Sequence, residues 1–177
     1  FVSMRGNSPF KDMKWQHLGP TNISGRVVDV DVAVRKGRTR VIYVASASGG
    51  LWKTENEGVT FEPIFEQAAS VQGGDVTVAP SDPNVLYAGM GESCIRGNVS
   101  HGDGVYKSTD AGATWKKLEN GLPKEELGRT GLAVSPADPD VVYALVDAAV
   151  KTGGFFRSTD GGGTWEVISP DLTTNDK

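Results

Sequence analysis

The chain alternates between short apolar runs and clusters of turn-forming residues. Three of the runs, at residues 41–45, 85–88 and 141–144, are rich in β-branched residues and carry a central tyrosine. An apolar or alternating run precedes each of them, and a run that begins with glycine follows. Runs of about four to eight residues between glycine, proline, asparagine and aspartate are typical of buried strands. The pattern therefore predicts many short strands and no amphipathic helix.

A recurring motif follows each of these groups of apolar runs. Residues 108–115 and 158–165 share serine, threonine, aspartate, glycine, threonine and tryptophan in the same register. A less complete copy at residues 54–61 has Asn56 in place of the aspartate and Phe61 in place of the tryptophan. The copies recur roughly every 50 residues, and four strands per repeat of this length are typical of a β-propeller blade.

We therefore predict an all-β chain built from β-propeller blades of four antiparallel strands, with about three blades in an open, partial propeller. An aromatic-x-x-aliphatic pattern at residues 15–18 predicts a strand that closes a distant blade, within an N-terminal segment at 1–23. Blade 1 is predicted at 24–72, blade 2 at 73–127, and blade 3 with the start of the next segment at 128–177. The end blades of such an arc expose apolar faces, so we expect them to need the remaining blades of the protein or another chain.

The motif S-x-D-x-G-x-T-W resembles the Asp-box, or BNR repeat, of sialidases, xyloglucanase-type glycoside hydrolases, sortilin-type receptors and photosystem II assembly factors. Further motifs, such as Ser-Gly-Gly-Leu-Trp-Lys-Thr at 48–54 and Gly-Asp-Gly-Val-Tyr-Lys at 102–107, are similar to large bacterial sortilin-like BNR-repeat proteins, which are commonly labelled glycosyl hydrolases. The resemblance implies the propeller fold. It implies much less about activity, because the same fold carries enzymes and binders.

Composition and charge narrow the classes of partner. The chain has 18 Lys and Arg against 22 Asp and Glu, a net charge of −4 without a basic stripe, which argues against a nucleic-acid partner. One cysteine, Cys94, and two histidines predict neither a disulfide nor a zinc cage, so we expect no metal and no cofactor. No apolar run approaches the roughly 18 residues of a membrane span.

The residues of the two full motifs are predicted to be structural. Their carboxylates are suited to accept hydrogen bonds from turn N–H groups, their glycines to give the turn its backbone freedom, and their indole rings to pack between neighbouring blades. These residues are Asp110, Gly112, Trp115, Asp160, Gly162 and Trp165.

Three arginines are candidates for ligand binding. Arg26 and Arg129 open the innermost strand of their blades, where a guanidinium group can bind a carboxylate or phosphate in the axial channel. Arg96 lies in the long connection 89–104. The alternative for the first two is a salt bridge to an aspartate of a neighbouring blade, such as Asp29, Asp31 or Asp75.

The connection 89–104 also holds Glu92, His101 and Asp103, which are candidates for acid–base catalysis or for binding a divalent metal. The alternative is a loop that packs on its neighbour, with Glu92 accepting hydrogen bonds from backbone N–H groups. The resemblance to xyloglucanases implies a catalytic aspartate before a Gly-Gly pair, but Ala47 stands at that position. Sialidase chemistry requires an Arg-Ile-Pro motif, which this sequence lacks.

Two functional hypotheses follow from these observations. The first is a secreted or envelope-associated propeller, located in the extracellular space, periplasm or cell envelope, that binds a protein or polysaccharide ligand. The second is a glycoside hydrolase of the Asp-box type whose catalytic carboxylates lie partly outside this chain. Sugar release from a panel of polysaccharides distinguishes the two.

Overall fold

The computed structural model describes residues 25–34, 37, 39–68, 70–92, 101–125, 127–148 and 152–170. In these residues the chain forms twelve strands and no helix. The strands form three separate four-stranded sheets, and within each sheet every strand pairs antiparallel with its neighbour in the sequence. The prediction of an all-β chain with three blades of four antiparallel strands is confirmed. The strand predicted at 15–18 lies outside the described residues.

The three sheets follow the order of the sequence, and each is called a blade from here on. Blade 1 contains β1 (Val27–Ala33), β2 (Val41–Ser46), β3 (Gly50–Thr54) and β4 (Glu62–Pro63). Blade 2 contains β5 (Gly73–Val78), β6 (Leu86–Met90), β7 (Val105–Ser108) and β8 (Lys116–Leu118). Blade 3 contains β9 (Leu127–Val134), β10 (Val142–Ala148), β11 (Gly154–Ser158) and β12 (Glu166–Pro170).

The tyrosine runs form the second strand of each blade. Tyr43, Tyr87 and Tyr143 occupy the same register. Each pairs with a residue of the first strand and with the Lys or Arg that is the next-to-last residue of the third strand. The second strand has a hydrogen-bonded neighbour on both sides, which suits its β-branched, nearly continuous apolar sequence. This common register makes positions in the three blades directly comparable.

Two hydrophobic cores hold the blades together, and each core lies between two neighbouring sheets. The first joins blades 1 and 2 and includes Tyr43, Val76 and Leu86, which are at most 1% exposed. The second joins blades 2 and 3 and includes Tyr87 and Val142 in the same state of burial. The blades therefore pack face to face, and the packing of one blade depends on the next.

The two outer faces of the arc remain apolar and exposed. On blade 1, Val30 and Val32 are 50% and 37% exposed, and on blade 3, Leu145, Val167 and Ile168 are 46%, 52% and 43% exposed. Apolar exposure of this extent on a sheet face marks a surface that packs against something else. Among the described residues there is no helix that could cross a membrane.

Candidate functional site

The two full motifs form identical hairpin turns. The Ser108 hydroxyl donates to Asp110 Oδ1 (2.7 Å) and accepts from the Gly112 N–H (2.9 Å). The Asp110 carboxylate then accepts from the backbone N–H (2.8 Å) and the hydroxyl (2.6 Å) of Thr114. The same four bonds recur in the hairpin of residues 158–164, at 2.7, 2.8, 2.8 and 2.8 Å.

These hydrogen bonds keep both motif carboxylates ionised. Bonds from Thr114 and Ser108 lower the pKa of Asp110 to about 2. Bonds from Thr164 and Ser158 lower the pKa of Asp160 to about 2. A carboxylate that accepts bonds on both oxygens and is this acidic is a poor general acid or base at neutral pH, so its role is to hold the turn.

The incomplete motif in blade 1 forms the same turn without a charge. Asn56 Oδ1 accepts from the Thr60 N–H (2.9 Å), and the Gly58 N–H donates to the Thr54 hydroxyl (3.0 Å). Where Asp110 accepts from a threonine hydroxyl, Asn56 Nδ2 instead donates to the Thr60 hydroxyl (2.8 Å). The turn therefore survives the replacement, but with neutral hydrogen bonds.

The turn of each full motif also accepts a hydrogen bond from a tyrosine of the preceding blade. Ala111 and Gly161 directly follow the motif aspartates and have left-handed backbones, with φ of 58° and 65°. This conformation orients the Ala111 carbonyl to accept from the Tyr43 hydroxyl (3.4 Å) and the Gly161 carbonyl to accept from the Tyr87 hydroxyl (2.9 Å). The motif therefore joins its own blade to the one before it.

The two motif tryptophans lie at the joints between blades. Trp115 Nε1 donates to the Ile64 carbonyl of blade 1 (2.8 Å), and its ring meets Phe65 edge-on at 5.2 Å between centroids. Trp165 is 6% exposed within the core shared by blades 2 and 3, and its Nε1 donates to the Gly162 carbonyl (3.2 Å).

A second set of joint residues, on the innermost strands, was expected from the sequence only as partners of the arginines. The Asp29 carboxylate accepts from the Val76 N–H (2.9 Å), and the Asp31 carboxylate accepts from the Val78 N–H (2.7 Å). Asp75 repeats the arrangement one blade later by accepting from the Leu132 N–H (3.0 Å). The alternation of valine and aspartate in β1 was the available signal, since it places these carboxylates on the face toward the next blade.

The arginine candidates therefore have other partners than these aspartates. Arg26 NH2 is hydrogen-bonded to Glu92 Oε1 across the joint of blades 1 and 2. Arg129 Nε lies 3.9 Å from Asp147 Oδ2 within blade 3. Both arginine side chains keep a little over 40% of their surface exposed. Arg96 lies outside the described residues.

The three catalytic candidates contact different partners. Glu92 is the acid bound to Arg26, and its side chain is 1% exposed. Asp103 accepts from Lys117 Nζ (2.7 Å) and from the Tyr106 hydroxyl, and burial together with this bond raises the pKa of Tyr106. His101 is exposed. In the part of the chain that the structure describes, no group of three or more His, Cys, Asp and Glu is placed to hold a metal ion.

The ends of the 89–104 connection pack tightly on blade 3. A Cβ atom at Gly91 or Gly102 would stand 2.1 or 1.8 Å from the Gly128 carbonyl oxygen, so only glycine fits at either position. The Gly102 N–H donates to the Leu127 carbonyl (2.7 Å). The described ends of this loop are therefore part of the joint between blades 2 and 3, which agrees with the packing alternative for the loop.

Two adjoining cavities lie along the motif edge and share Thr114 and Trp115. One has a volume of ≈ 650 Å³ and runs between residues 63–68 of blade 1 and residues 112–115 of blade 2. The other has a volume of ≈ 360 Å³ and continues past Lys116 toward the motif turn of blade 3. We call the two cavities together the Trp115 groove.

Comparison with known proteins shows similarity to proteins that carry the Asp-box repeat. A sequence profile of the BNR/Asp-box repeat matches residues 156–167. The chain is 38% identical over 71 residues to the dispase autolysis-inducing protein of Streptomyces mobaraensis. This match covers 38% of this chain and 19% of that protein. The chain is also 26% identical over 136 residues to a xyloglucanase of Acetivibrio thermocellus. This second match covers 64% of this chain and 15% of the enzyme. The chain thus spans less than a fifth of the length of these curated relatives.

Solved structures show the same fold. The GH74 xyloglucanase of Xanthomonas campestris superposes with a TM-score of 0.59 at 21% identity, over 83% of this chain and 21% of that one. A GH74 enzyme of Niastella koreensis gives 0.57 at 22% identity, over 80% and 21%. YCF48 bound to D1 peptide gives 0.53 at 17% identity, over 83% and 44%. The similarity to sortilin-like proteins stays a prediction.

Proposed function

Because the chain carries Asp-box, or BNR, repeats on β-propeller blades, we propose that it is part of a propeller scaffold that binds an extended ligand, and that this ligand is a polysaccharide. A polysaccharide ligand implies a secreted or envelope-associated protein. The observation that carries the proposal is the Trp115 groove, which lies across the joints between blades rather than within one blade.

The groove has the chemistry of a sugar-binding surface. Its central side chain, Trp115, is half-buried, and its indole N–H is already bonded to Ile64, so the exposed part of the ring offers an apolar face. Exposed Glu66, Gln67 and Lys116 supply hydrogen-bonding groups along the rim. An aromatic face bordered by a few polar groups suits a sugar ring, and ≈ 650 Å³ is within the usual range for ligand sites.

The carboxyl groups that are candidates for catalysis have other partners in the structure, and this favours a binding protein over a hydrolase. Glycoside hydrolysis needs two carboxyl groups, one of them able to donate a proton. Glu92 is buried against Arg26, Asp103 is bonded to Lys117 and Tyr106, and Ala47 is a buried alanine where xyloglucanases are expected to have an aspartate.

Binding of polysaccharides, measured by affinity electrophoresis and calorimetry on a panel that includes xyloglucan, tests this proposal. Trp115→Ala should abolish binding, and Trp115→Phe, which keeps an aromatic face, should retain most of it. Phe61→Ala is the matched control, because Phe61 occupies the corresponding motif position of blade 1 outside the groove. Binding that survives Trp115→Ala, or no binding to any polysaccharide, contradicts the proposal.

The similarity to a xyloglucanase over 136 residues supports a second candidate, a glycoside hydrolase whose catalytic carboxylates lie partly outside this chain. The test is sugar release by the full-length protein from the same panel. Release that is lost in Glu92→Gln and retained in Asp138→Asn would favour a hydrolase that uses this chain. The absence of release from every polysaccharide that binds would favour the scaffold.

The exposed apolar faces of blades 1 and 3 support the proposal that further blades pack on both of them. Val30 of β1 and Leu145 of β10 face outward from the arc, and Tyr143 occupies the register at which Tyr43 and Tyr87 each reach into the next blade. The remaining blades of the same protein, which supply the same kind of surface, are the partners we propose.

A further inference from the structure

The carboxyl groups of the first strands of blades 1 and 2 each accept a backbone hydrogen bond from the next blade. Asp29 accepts its hydrogen bond from the N–H of Val76, the residue directly after Asp75, and the side chains of Asp29 and Asp75 lie within hydrogen-bonding reach of each other. Asp75 in turn accepts a hydrogen bond from the N–H of Leu132 in β9. Its Oδ2 is 3.8 Å from the position that a Cβ atom would take at Gly131, also in β9. Asp31 lies on the same face of β1, one alternation further along.

Equivalent register explains why these groups meet. Asp29 pairs with Ala45, two residues after Tyr43, and Asp75 pairs with Gly89, two residues after Tyr87. The corresponding residue of blade 3 is Gly131. Two successive blades thus carry a carboxyl group at the same inward position, and the third carries none.

The charged groups on the other packed strands are engaged elsewhere. On β9, Arg129 approaches Asp147, and on β3, Lys53 is 2.6 Å from Glu55. Arg26, just before β1, is bonded to Glu92. The tyrosines of β2 and β6 donate their hydroxyls to motif carbonyls. Among the described residues, the groups that face Asp75 are therefore the carboxyl groups of Asp29 and Asp31 and the N–H of Leu132.

Two carboxyl groups in contact in a partly buried place cannot both carry a charge at low cost. Burial raises the pKa of Asp75 to about 7, against the lowering effect of the Leu132 N–H and with a further increase from Asp29 and Asp31. In its protonated form, Asp75 can accept from Leu132 with one oxygen and donate to Asp29 with the other. Both carboxyl groups then have satisfied hydrogen bonds across both joints.

We propose that Asp75 is a neutral carboxylic acid in the folded protein below neutral pH, that it donates its proton in a hydrogen bond to the Asp29 carboxylate, and that the joints of blade 2 weaken when this proton leaves. The sign follows from linkage. A carboxyl group that binds its proton more tightly when folded contributes stability that is complete below its unfolded pKa of about 4, and this contribution is lost as the pH rises through about 7. The joints hold most firmly in mildly acidic surroundings.

Urea unfolding of the full chain at about pH 5 and about pH 8.5 tests the proposal. The unfolding equilibrium constant of the wild type should be about tenfold larger or more at the higher pH. Asp75→Asn should remove this dependence, because an amide accepts from Leu132 and donates to Asp29 at every pH. The Asp75→Asn variant should therefore be more stable than the wild type at the higher pH. A flat wild-type profile, or an unchanged slope in Asp75→Asn, overturns the proposal.

Two further variants distinguish titration of Asp75 from a general effect of the protein's charge on stability. Asp31→Asn keeps an oxygen for the Val78 N–H but removes a neighbouring charge, so it should move the midpoint of the profile to lower pH without removing it. Asp138→Asn, at an exposed turn of blade 3, should leave the profile of the wild type unchanged.

An infrared measurement keeps the proposal testable if Asp75→Asn does not fold. The folded wild type should show the C=O stretching band of a protonated carboxyl group that disappears as the pH rises through about 7. The absence of any such band at mildly acidic pH contradicts a protonated Asp75 at this joint.

Discussion

Blade 2 differs from the end blades in one respect: it has a neighbour on both faces. Val76 of blade 2 is 1% exposed, whereas Val30, at the same register in blade 1, is 50% exposed. Tyr87 of blade 2 is 1% exposed and bonded to the next blade, whereas Tyr143 of blade 3 is half-buried and stacked on Phe155 of its own sheet at 5.5 Å between centroids. Equivalent residues thus have different environments.

The difference shows where the stability of the repeat resides. The order and direction of the strands are the same in all three blades, but the two buried apolar clusters each lie where two blades meet. As in other repeat proteins, the energetic unit is therefore the joint and not the single blade. Four substitutions or conditions test this view.

The largest effect is expected when a tyrosine of a joint is truncated. Tyr87→Ala removes a fully buried ring and should lower the free energy of unfolding by about 3–5 kcal/mol. Tyr143→Ala, at the open face, should cost less than half as much. The measurement is urea unfolding of both variants, and equal losses would contradict the comparison.

The open faces should also make the chain associate when it is alone in solution. We expect concentration-dependent oligomers in analytical ultracentrifugation, because exposed apolar sheet faces bury one another. Leu145→Glu places a charge on the face of blade 3 and should raise the dissociation constant about tenfold or more, which corresponds to about 1.4 kcal/mol. Ala137→Glu, at an exposed turn of the same blade, should have no effect. A stable wild-type monomer would refute the expectation.

A smaller effect distinguishes the charged motif from the neutral one. Asp110→Ala removes charge-assisted bonds to Thr114 and should cost about 1 kcal/mol or slightly more. Asn56→Ala removes neutral bonds in the corresponding turn of blade 1 and should cost less. Thermal and urea unfolding rank the two variants, and the reverse order would show that the charge does not strengthen the turn.

The smallest effect concerns acid. The pKa values of Asp110 and Asp160 are about 2 in the folded protein, below the ordinary value of 3.8. Their contribution to stability is therefore complete above about pH 4 and is lost as the pH falls through about 2. Asp110→Asn and Asp160→Asn should flatten the acid limb of the stability profile. Asn56→Ala serves as the control, since it changes a neutral residue at the equivalent position of the blade 1 turn, and a flattening there would contradict the assignment.

Much of the fold was predictable because its signals are local. The tyrosine runs, the turns between them and the motif hairpins each lie within a few residues of sequence, and the periodic recurrence of the motif indicated blades. The positions of Asp110 and Asp160 in their turns follow from the same short-range pattern. For the arginines, ligand binding stays a prediction, and the acidic partners that the structure shows, Glu92 and Asp147, are not the aspartates that the sequence suggested.

The sequence by itself determined the strands, the turn chemistry of each motif and the number of repeats, because these depend on residues close together in the chain. Only the tertiary structure decided which groups meet across the joints. Asp29 and Val76 are 47 residues apart and Arg26 and Glu92 are 66 apart, so their contacts depend on how two finished blades stack. The carboxyl pair of Asp29 and Asp75 arises for the same reason: each aspartate is an ordinary inward residue of its own strand, and stacking two blades brings them together.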